Sequence, residues 1–193
     1  MKMKTKRKAL LLSLCAVLLV VASVMGTMAY LTSTSATVTN TFTVGNVDIT
    51  LDEAPVNTNG QVVDGNRRTE NRYLLVPGQS YTKDPIVHVT ANSENSWIFV
   101  EVTNPLANFE AGTTIAAQIE AKGWEKLEPG VYYKAYTKSD SLTNLPVFDN
   151  FTLKDDADTI TGWGTIQPIT IKAYAVQSAG LTVQQAWQVA QGN

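Results

Sequence analysis

The chain has 193 residues, one cysteine, one histidine and a formal net charge of −2 at pH 7. A single cysteine excludes a disulfide framework, and a single histidine excludes the H-E-x-x-H zinc motif. The length leaves room for a domain with a sizeable core, so the chain does not depend on such cross-links for its stability.

The first thirty residues have the pattern of a secretory signal. Five basic residues at positions 2, 4, 6, 7 and 8 precede an apolar run from Ala9 to Met25. Small residues at Thr27 and Ala29 then form a cleavage site, and we predict a cut between Ala29 and Tyr30. The rest of the chain is then secreted to the cell surface or the extracellular matrix, and it contacts the membrane only through the signal peptide before cleavage.

An uncleaved membrane anchor is the alternative interpretation of the same segment. Its 17 residues lie at the lower limit of the roughly 17–25 that span a bilayer. Cys15 does not indicate a lipoprotein, because Leu14 stands where a small residue is needed and the apolar run continues beyond it. In both cases the domain lies outside the cell.

Removal of residues 1–29 leaves 164 residues, which we expect to form a single extracellular domain, residues 30–193. The removed segment carries five basic residues and no acid, so ten lysines and arginines remain against 17 acids, a formal net charge of −7. A surface of this sign argues against nucleic acid as a partner.

The first part of this domain reads as strands separated by turns. Alternating polar and apolar residues predict a strand at Thr37–Val44 and another at Val47–Leu51, after a bend or bulge at Gly45-Asn46. The turn-forming residues between Asn57 and Arg68 predict an exposed loop, with at most a short strand at Gln61–Val63.

Three more strands are predicted before the middle of the chain, at Tyr73–Val76, Ile86–Thr90 and Trp97–Val102. A polar turn separates the last two, so we expect them to form a hairpin at the centre of a sheet. Alternation places Val87 and Val89 together on one face of their strand.

Two helices interrupt the strands. Gly123 suits the C′ position of the first helix, and Thr182 with Gln185 forms a capping box for the second. The predicted elements follow in the order helix Thr114–Lys122, strands Trp124–Glu128 and Val131–Tyr136 around a type II turn, strands Val147–Leu153 and Ile169–Val176, and a helix from Thr182 to Ala190. The fold class is mainly β, a two-sheet jelly-roll-like sandwich with one or two short helices.

No group of residues predicts a catalytic site, a cofactor site or a metal site, and we expect the protein not to be an enzyme. His88 lies within a strand beside Val and Thr, which is typical of a half-buried structural histidine. The acidic residues Asp155, Asp156 and Asp158 lack the glycine and final glutamate of a calcium loop, so a solvated turn is expected. Trp163, in a Gly-rich loop, is the one tryptophan to test as a ligand contact.

Four segments resemble the TasA/camelysin-type family of SipW-dependent exported proteins. They are Gly26–Thr32 with Asn40–Ile49 at the N-terminal junction, Val76–Pro85, and Ile171–Gln177 near the end of the chain. The resemblance implies cleavage by a signal peptidase of the SipW type, with Thr27, Ala29 and Tyr30 at the site. It also implies a jelly-roll fold and a structural role in the extracellular or biofilm matrix of a Gram-positive bacterium.

The resemblance further implies self-association into filaments, in which residues 30–40 complete the sheet of the next subunit. The segment is rich in Thr and Ser and has no charge before Asp48, which suits a donated strand. The assembly residues are predicted to be Leu31, Thr37, Val38, Thr39, Asn40 and Phe42. A camelysin-like surface metalloprotease and a monomeric cell-surface or spore-associated binding module are the alternatives, and the segment could instead fold back as an edge strand of its own domain.

Overall fold

The computed structural model describes residues 47–91, 93–139, 143–157 and 166–192. These residues form nine strands and two α-helices, so the domain is mainly β as predicted. The strands are β1 (Ile49–Asp52), β2 (Ser80–Thr82), β3 (Ile86–Val89), β4 (Ser96–Thr103), β5 (Glu125–Glu128), β6 (Val131–Tyr136), β7 (Asn144–Pro146), β8 (Asn150–Thr152) and β9 (Thr170–Gln177). The helices are α1 (Ile115–Ala121) and α2 (Val183–Ala190), and Ala107–Phe109 forms one 3-10 turn.

The strands form three antiparallel sheets. The largest has the order β5-β6-β4-β9, a second has the order β1-β3-β7, and β2 pairs with β8 alone. The main hydrophobic core contains buried side chains from all three sheets, among them Val87 of β3, Ile98 and Val100 of β4, and Phe151 of β8. Burial of these apolar side chains is the main force that holds the sheets together.

A second, smaller core lies on the other face of the large sheet, under α2. Phe99 of β4 packs against Trp187 of α2 with ring centroids 5.2 Å apart, and Tyr174 of β9 meets the same indole edge-on at 5.4 Å. The indole Nε1–H donates to Glu128 Oε1 at 2.8 Å. The predicted capping box at Thr182 is present and begins this helix.

The middle of the chain also follows the sequence prediction. Thr114 caps α1 by accepting the Ala117 N–H at 3.2 Å, and Gly123 follows the helix at φ +79°. Gly130 closes the β5–β6 turn at φ +78°, the conformation that a type II turn requires of its third residue.

Three strand predictions were wrong in detail. The Tyr73–Val76 segment is not a strand, because the Tyr81 hydroxyl replaces a neighbouring strand: it donates to Leu74 O at 2.8 Å and accepts the Val76 N–H at 2.6 Å. The predicted β3–β4 hairpin does not form. The two strands belong to different sheets and bury Val87 and Ile98 in the same core, so burial rather than a shared ladder joins them.

The third error concerns Val147–Leu153, where one strand was predicted. The structure has β7 before it and the short β8 within it. Val147 and Phe148, between these strands, have no exposed surface and fill the core directly. The apolar run at Val147–Leu153 therefore indicates burial in the core and not one continuous strand.

We predict that Gly130→Ala destabilises the domain more than Gly112→Ala does. Both glycines have positive φ, +78° and +69°, where alanine is strained by about 1–2 kcal/mol. A Cβ on Gly130 would also lie 2.8 Å from Val102 O, whereas one on Gly112 would have no neighbour within 4 Å. Urea unfolding of both variants measures the difference, and equal losses would contradict the close approach at Gly130.

Candidate functional site

Strand β9 forms an edge of the large sheet, and β1 of the second sheet lies alongside it without pairing with it. Within the described residues β4 is the only strand hydrogen-bonded to it. The Val102 N–H of β4 donates to Gly130 O on the β6 side, at 2.7 Å. Main-chain groups alternate in direction along an antiparallel strand, so the neighbours Glu101 and Thr103 turn theirs toward β9.

The same alternation decides which groups of β9 are left at the edge. Glu101 is paired with Lys172, and the following bonded pairs fall on every second residue. The N–H and C=O groups of Ile171, Ala173 and Ala175 therefore point away from β4. The side chains of these three residues pack against the main core. The edge is thus a row of main-chain donors and acceptors above an apolar surface.

Two other edge strands of the described sheets, β5 and β7, carry features that oppose pairing. β5 has three charged residues among its four, and β7 has three residues and ends in Pro146. β9 has eight residues with Lys172 as its one charged side chain. Proteins usually block edge strands with charge, proline or short length. β9 is longer than both of these strands and carries less charge than β5.

The surface beside this edge forms a groove at each of its two ends. At the Gln177 end it is shallow and is lined by Val47, Tyr174 and the half-exposed Val189. At the Thr170 end it is more enclosed, with a volume of about 440 Å³ between Leu51 of β1 and Ile171 of β9. Apolar side chains therefore lie beside both ends of the edge, Val47 and Val189 at one and Leu51 and Ile171 at the other.

A buried ion pair forms the wall of the enclosed end. Lys83 Nζ lies 2.8 Å from Glu53 Oε2, and the two side chains are 9% and 6% exposed. The ring of Tyr73 lies 5.9 Å below the same ammonium, and its hydroxyl donates to Thr82 O at 3.0 Å. Burial, with the negative charge of Glu53 and Asp84, raises the pKa of Tyr73 far above 10. The phenol therefore stays protonated and neutral beside the pair.

A second polar network fastens the 53–72 loop to the sheet behind the groove. The Arg67 guanidinium donates to Asp52 Oδ1 at 2.5 Å and to Asp84 Oδ2 at 3.0 Å. It also donates to the carbonyl oxygen of Asp84 at 2.8 Å. Arg67 thus joins the loop to β1 and to the segment before β3. The guanidinium keeps its charge at all ordinary pH values, so titration of Arg67 does not break these hydrogen bonds.

His88 extends the network to β7. Its Nε2 lies 2.9 Å from Asp52 Oδ1 and its Nδ1 lies 2.7 Å from Asn144 Oδ1. Burial opposes the charged imidazolium, but the hydrogen bonds with Asp52 and Asn144 outweigh it and raise the pKa of His88 above 6.5. With oxygen atoms facing both ring nitrogens, the doubly protonated ring suits this position best. The prediction of a half-buried histidine is therefore met, with a role in joining three strands.

The predicted processing and assembly residues all lie outside the described residues. They are Thr27, Ala29, Tyr30, Leu31, Thr37, Val38, Thr39, Asn40 and Phe42. Asp158 and Trp163 lie outside as well, whereas Asp155 and Asp156 are exposed in a turn. Among the described residues there is no group of three or more His, Cys, Asp or Glu placed to hold a metal ion, and no helix long and apolar enough to cross a membrane.

The sequence analysis did not identify the residues that form the wall of the enclosed end of the groove. Glu53 and Lys83 are 30 residues apart, and Arg67 reads as part of a polar loop, so neither pairing has a local signal. The sequence did contain one sign of an edge strand, the length and low charge of Ile169–Val176. The sequence prediction identified this segment as a strand but did not place it at a sheet edge.

We predict that His88 makes stability depend on pH near neutrality. Because its folded pKa is raised, its stabilising effect is complete below about 6.5 and is lost as the pH rises through the folded value. The free energy of unfolding should therefore fall as the pH rises above about 6.5. In His88→Gln that fall should be absent, since the chain has no other histidine. An identical slope in both proteins, measured by urea unfolding, would contradict this role.

We predict that Glu53→Gln strongly destabilises the domain, because it leaves the buried Lys83 ammonium without its carboxylate. Breaking a buried pair on one side costs about 3–5 kcal/mol. Glu70→Gln is the matched control, since Glu70 lines the same groove but is exposed, and its effect should stay within about 0.5 kcal/mol. The double variant Glu53→Leu/Lys83→Met should recover much of the loss, and chemical denaturation of the three proteins decides the matter.

Comparisons of the chain with models of protein families, with curated proteins and with solved structures found no match in any of the three. The similarity of its N-terminal junction to SipW-dependent exported proteins therefore stays a prediction from the sequence. The open edge and its groove are the observations on which a functional proposal can be built.

Proposed function

We propose that this protein is a secreted structural protein of the extracellular or biofilm matrix, which forms fibres by strand donation. The N-terminal segment of one copy, residues 30–40 and extending to Phe42, pairs with the β9 edge of the next copy. The observation that carries this proposal is the eight-residue edge of β9, which has a single charged side chain and pairs by hydrogen bonds only with β4 among the described strands.

The energetics favour an added strand at this place. Ile171, Ala173 and Ala175 present main-chain groups that an incoming strand can satisfy, and main-chain hydrogen bonds of this kind supply affinity in strand addition. The apolar side chains at the two ends of the edge give the incoming side chains a surface to bury. Val189, half exposed beside the Gln177 end, would lose contact with water as well.

The donor has the complementary properties. Residues 30–47 contain no charged side chain and are rich in Thr and Ser, with Val38 and Phe42 on one face. A donor and an acceptor on different parts of one molecule form a heterologous contact. Such a contact does not close on itself, so it propagates into a filament. The proposal therefore accounts for a fibre without any second type of subunit.

The same proposal includes the finer points of the sequence prediction. The sheets belong to a jelly-roll-like sandwich, residues 1–29 are a signal peptide removed by a peptidase of the SipW type, and the protein is not an enzyme. Cleavage before Tyr30 would supply the free end that the donor needs. N-terminal sequencing of the secreted protein tests this point directly.

A monomeric surface-binding module is the second candidate. The observation in its favour is the enclosed end of the groove, whose volume of about 440 Å³ is within the roughly 300–1,000 Å³ of small-ligand sites. Absence of concentration-dependent assembly would favour it. For the camelysin-like metalloprotease, stoichiometric metal and chelator-sensitive proteolysis in the purified protein are the required results.

We predict that deletion of Tyr30–Asn40 leaves a folded monomer that cannot polymerise, because the donor is lost and the acceptor edge is intact. Light scattering and negative-stain microscopy over a range of concentrations measure assembly, and circular dichroism checks the fold. Filaments that persist after the deletion would rule out donation by this segment.

We also predict that Ala173→Pro abolishes filament growth, whereas Ala173→Ser retains it. Proline removes an N–H that points away from β4 and places its ring at the edge, where an incoming strand must approach. Serine keeps the N–H at nearly the same size. The monomers should have similar melting temperatures, and equal filament yields from both variants would mean that β9 is not the acceptor.

A further inference from the structure

A second cavity lies beside the enclosed end of the groove and has a more apolar lining. Its volume is about 280 Å³, and it shares lining residues, among them Asn71, Lys83 and Ile169, with the cavity of about 440 Å³ described above. The two cavities are therefore neighbours. The side chains that line only the second one are largely apolar, among them Tyr73, Leu75, Leu106, Phe151 and Ile166. Small-ligand sites have linings of this hydrophobic and aromatic kind.

Two arginines beside these cavities have no ionic partner. Arg68 lines the first cavity and Arg72 the second, and both side chains are exposed. Among the described residues no carboxylate lies within 4 Å of either guanidinium, and neither side chain makes a hydrogen bond. Lys126 of β5 is the one other basic residue of the described chain in this state. Unused positive charge is thus concentrated at the cavities.

The charges around the cavities favour a ligand with a single negative charge. Glu53 lies 2.8 Å from Lys83 and balances its charge, and it accepts one of the three N–H donors of the ammonium. Asp52, at the edge of the first cavity, is already paired with Arg67. Glu70 lines both cavities and offsets one of the two unpaired arginines. One positive charge remains for a ligand, and a dianion would meet repulsion from Glu53 and Glu70.

We propose that the two cavities bind an organic monocarboxylate that has an apolar body. The carboxylate lies against Arg72, whose planar fork of N–H donors matches two carboxylate oxygens. The apolar body enters the second cavity toward Tyr73 and Ile166. Arg68 adds attraction from the first cavity, and the neutral Tyr73 phenol adds no opposing charge. This binding activity goes beyond the proposed role in a fibre and does not depend on it.

Calorimetric titration of the purified secreted protein with sodium octanoate tests the site. We expect saturable binding of one octanoate per chain. Octyltrimethylammonium has the same alkyl chain with the opposite charge and should not bind saturably. Octyl phosphate at pH 8 carries close to two negative charges and should bind more weakly than octanoate.

Three variants locate the carboxylate. Arg72→Gln should weaken octanoate binding about tenfold, because it removes a charge-assisted hydrogen bond. Arg68→Gln should weaken it less, since this guanidinium acts from a distance in water. Lys126→Gln is the matched control, because it removes an equally exposed and unpaired cation from β5, and it should leave the Kd unchanged.

Methyl NMR spectra locate the apolar body. Octanoate should shift the methyl signals of Ile166 and Ile169, which line the second cavity, and not those of Val189 on α2. Failure of octanoate to saturate overturns the inference, as does equally tight binding of the cation or the phosphate. Equal affinities of Arg72→Gln and Lys126→Gln, or shifts confined to Val189, overturn it as well. Filament growth is measured separately, so loss of this site leaves the proposed function standing.

Discussion

Burial of β4 on both faces is the constraint on which the rest of the domain depends. Ile98, Phe99 and Val100 have no exposed surface, because even-numbered side chains enter the main core and odd-numbered ones pack beneath α2. A strand of this kind needs hydrogen-bonded neighbours on both sides, since its main-chain groups have no access to water. β6 and β9 are those neighbours, so β4 positions the two-sided sheet that carries the open edge.

The edge of β9 follows from this arrangement. Because Val102 turns its N–H to the β6 side, every second residue of β4 bonds to β9, and Ile171, Ala173 and Ala175 are left facing outward. Their side chains still contribute to the core. An added strand would thus extend a sheet whose apolar face is already in place.

Two polar contacts hold the groove in shape from the other side. The Lys83–Glu53 pair is buried in its wall, and Arg67 joins the 53–72 loop to Asp52 and Asp84. Isolated ion pairs on a surface contribute little, but these are partly or largely buried, and Arg67 also donates to the carbonyl oxygens of Asp52 and Asp84. They restrict a loop that is otherwise rich in turn residues. The groove is therefore expected to keep its shape before a donor arrives.

Local patterns in the sequence were sufficient wherever the structure is decided by neighbours along the chain. The Thr182 capping box, the Gly123 helix end and the Gly130 turn depend on residues within a few positions of one another, and all three are present. The alternation of Val87 and Val89 correctly placed their burial, because side-chain direction in a strand has a period of two.

Which distant segments pair with each other was decided only by the tertiary structure. Alternation in β3 and β4 could not show that they occupy different sheets, since a strand has the same pattern whichever neighbour it takes. For the same reason the sequence identified the Ile169–Val176 strand but not its open edge, and it indicated a donor but not an acceptor. By itself the sequence determined a mainly β domain with its turns and helix ends. Strand pairing, the groove and the pairing of Lys83 with Glu53 arise from packing, in which each residue's neighbours are chosen by the whole chain.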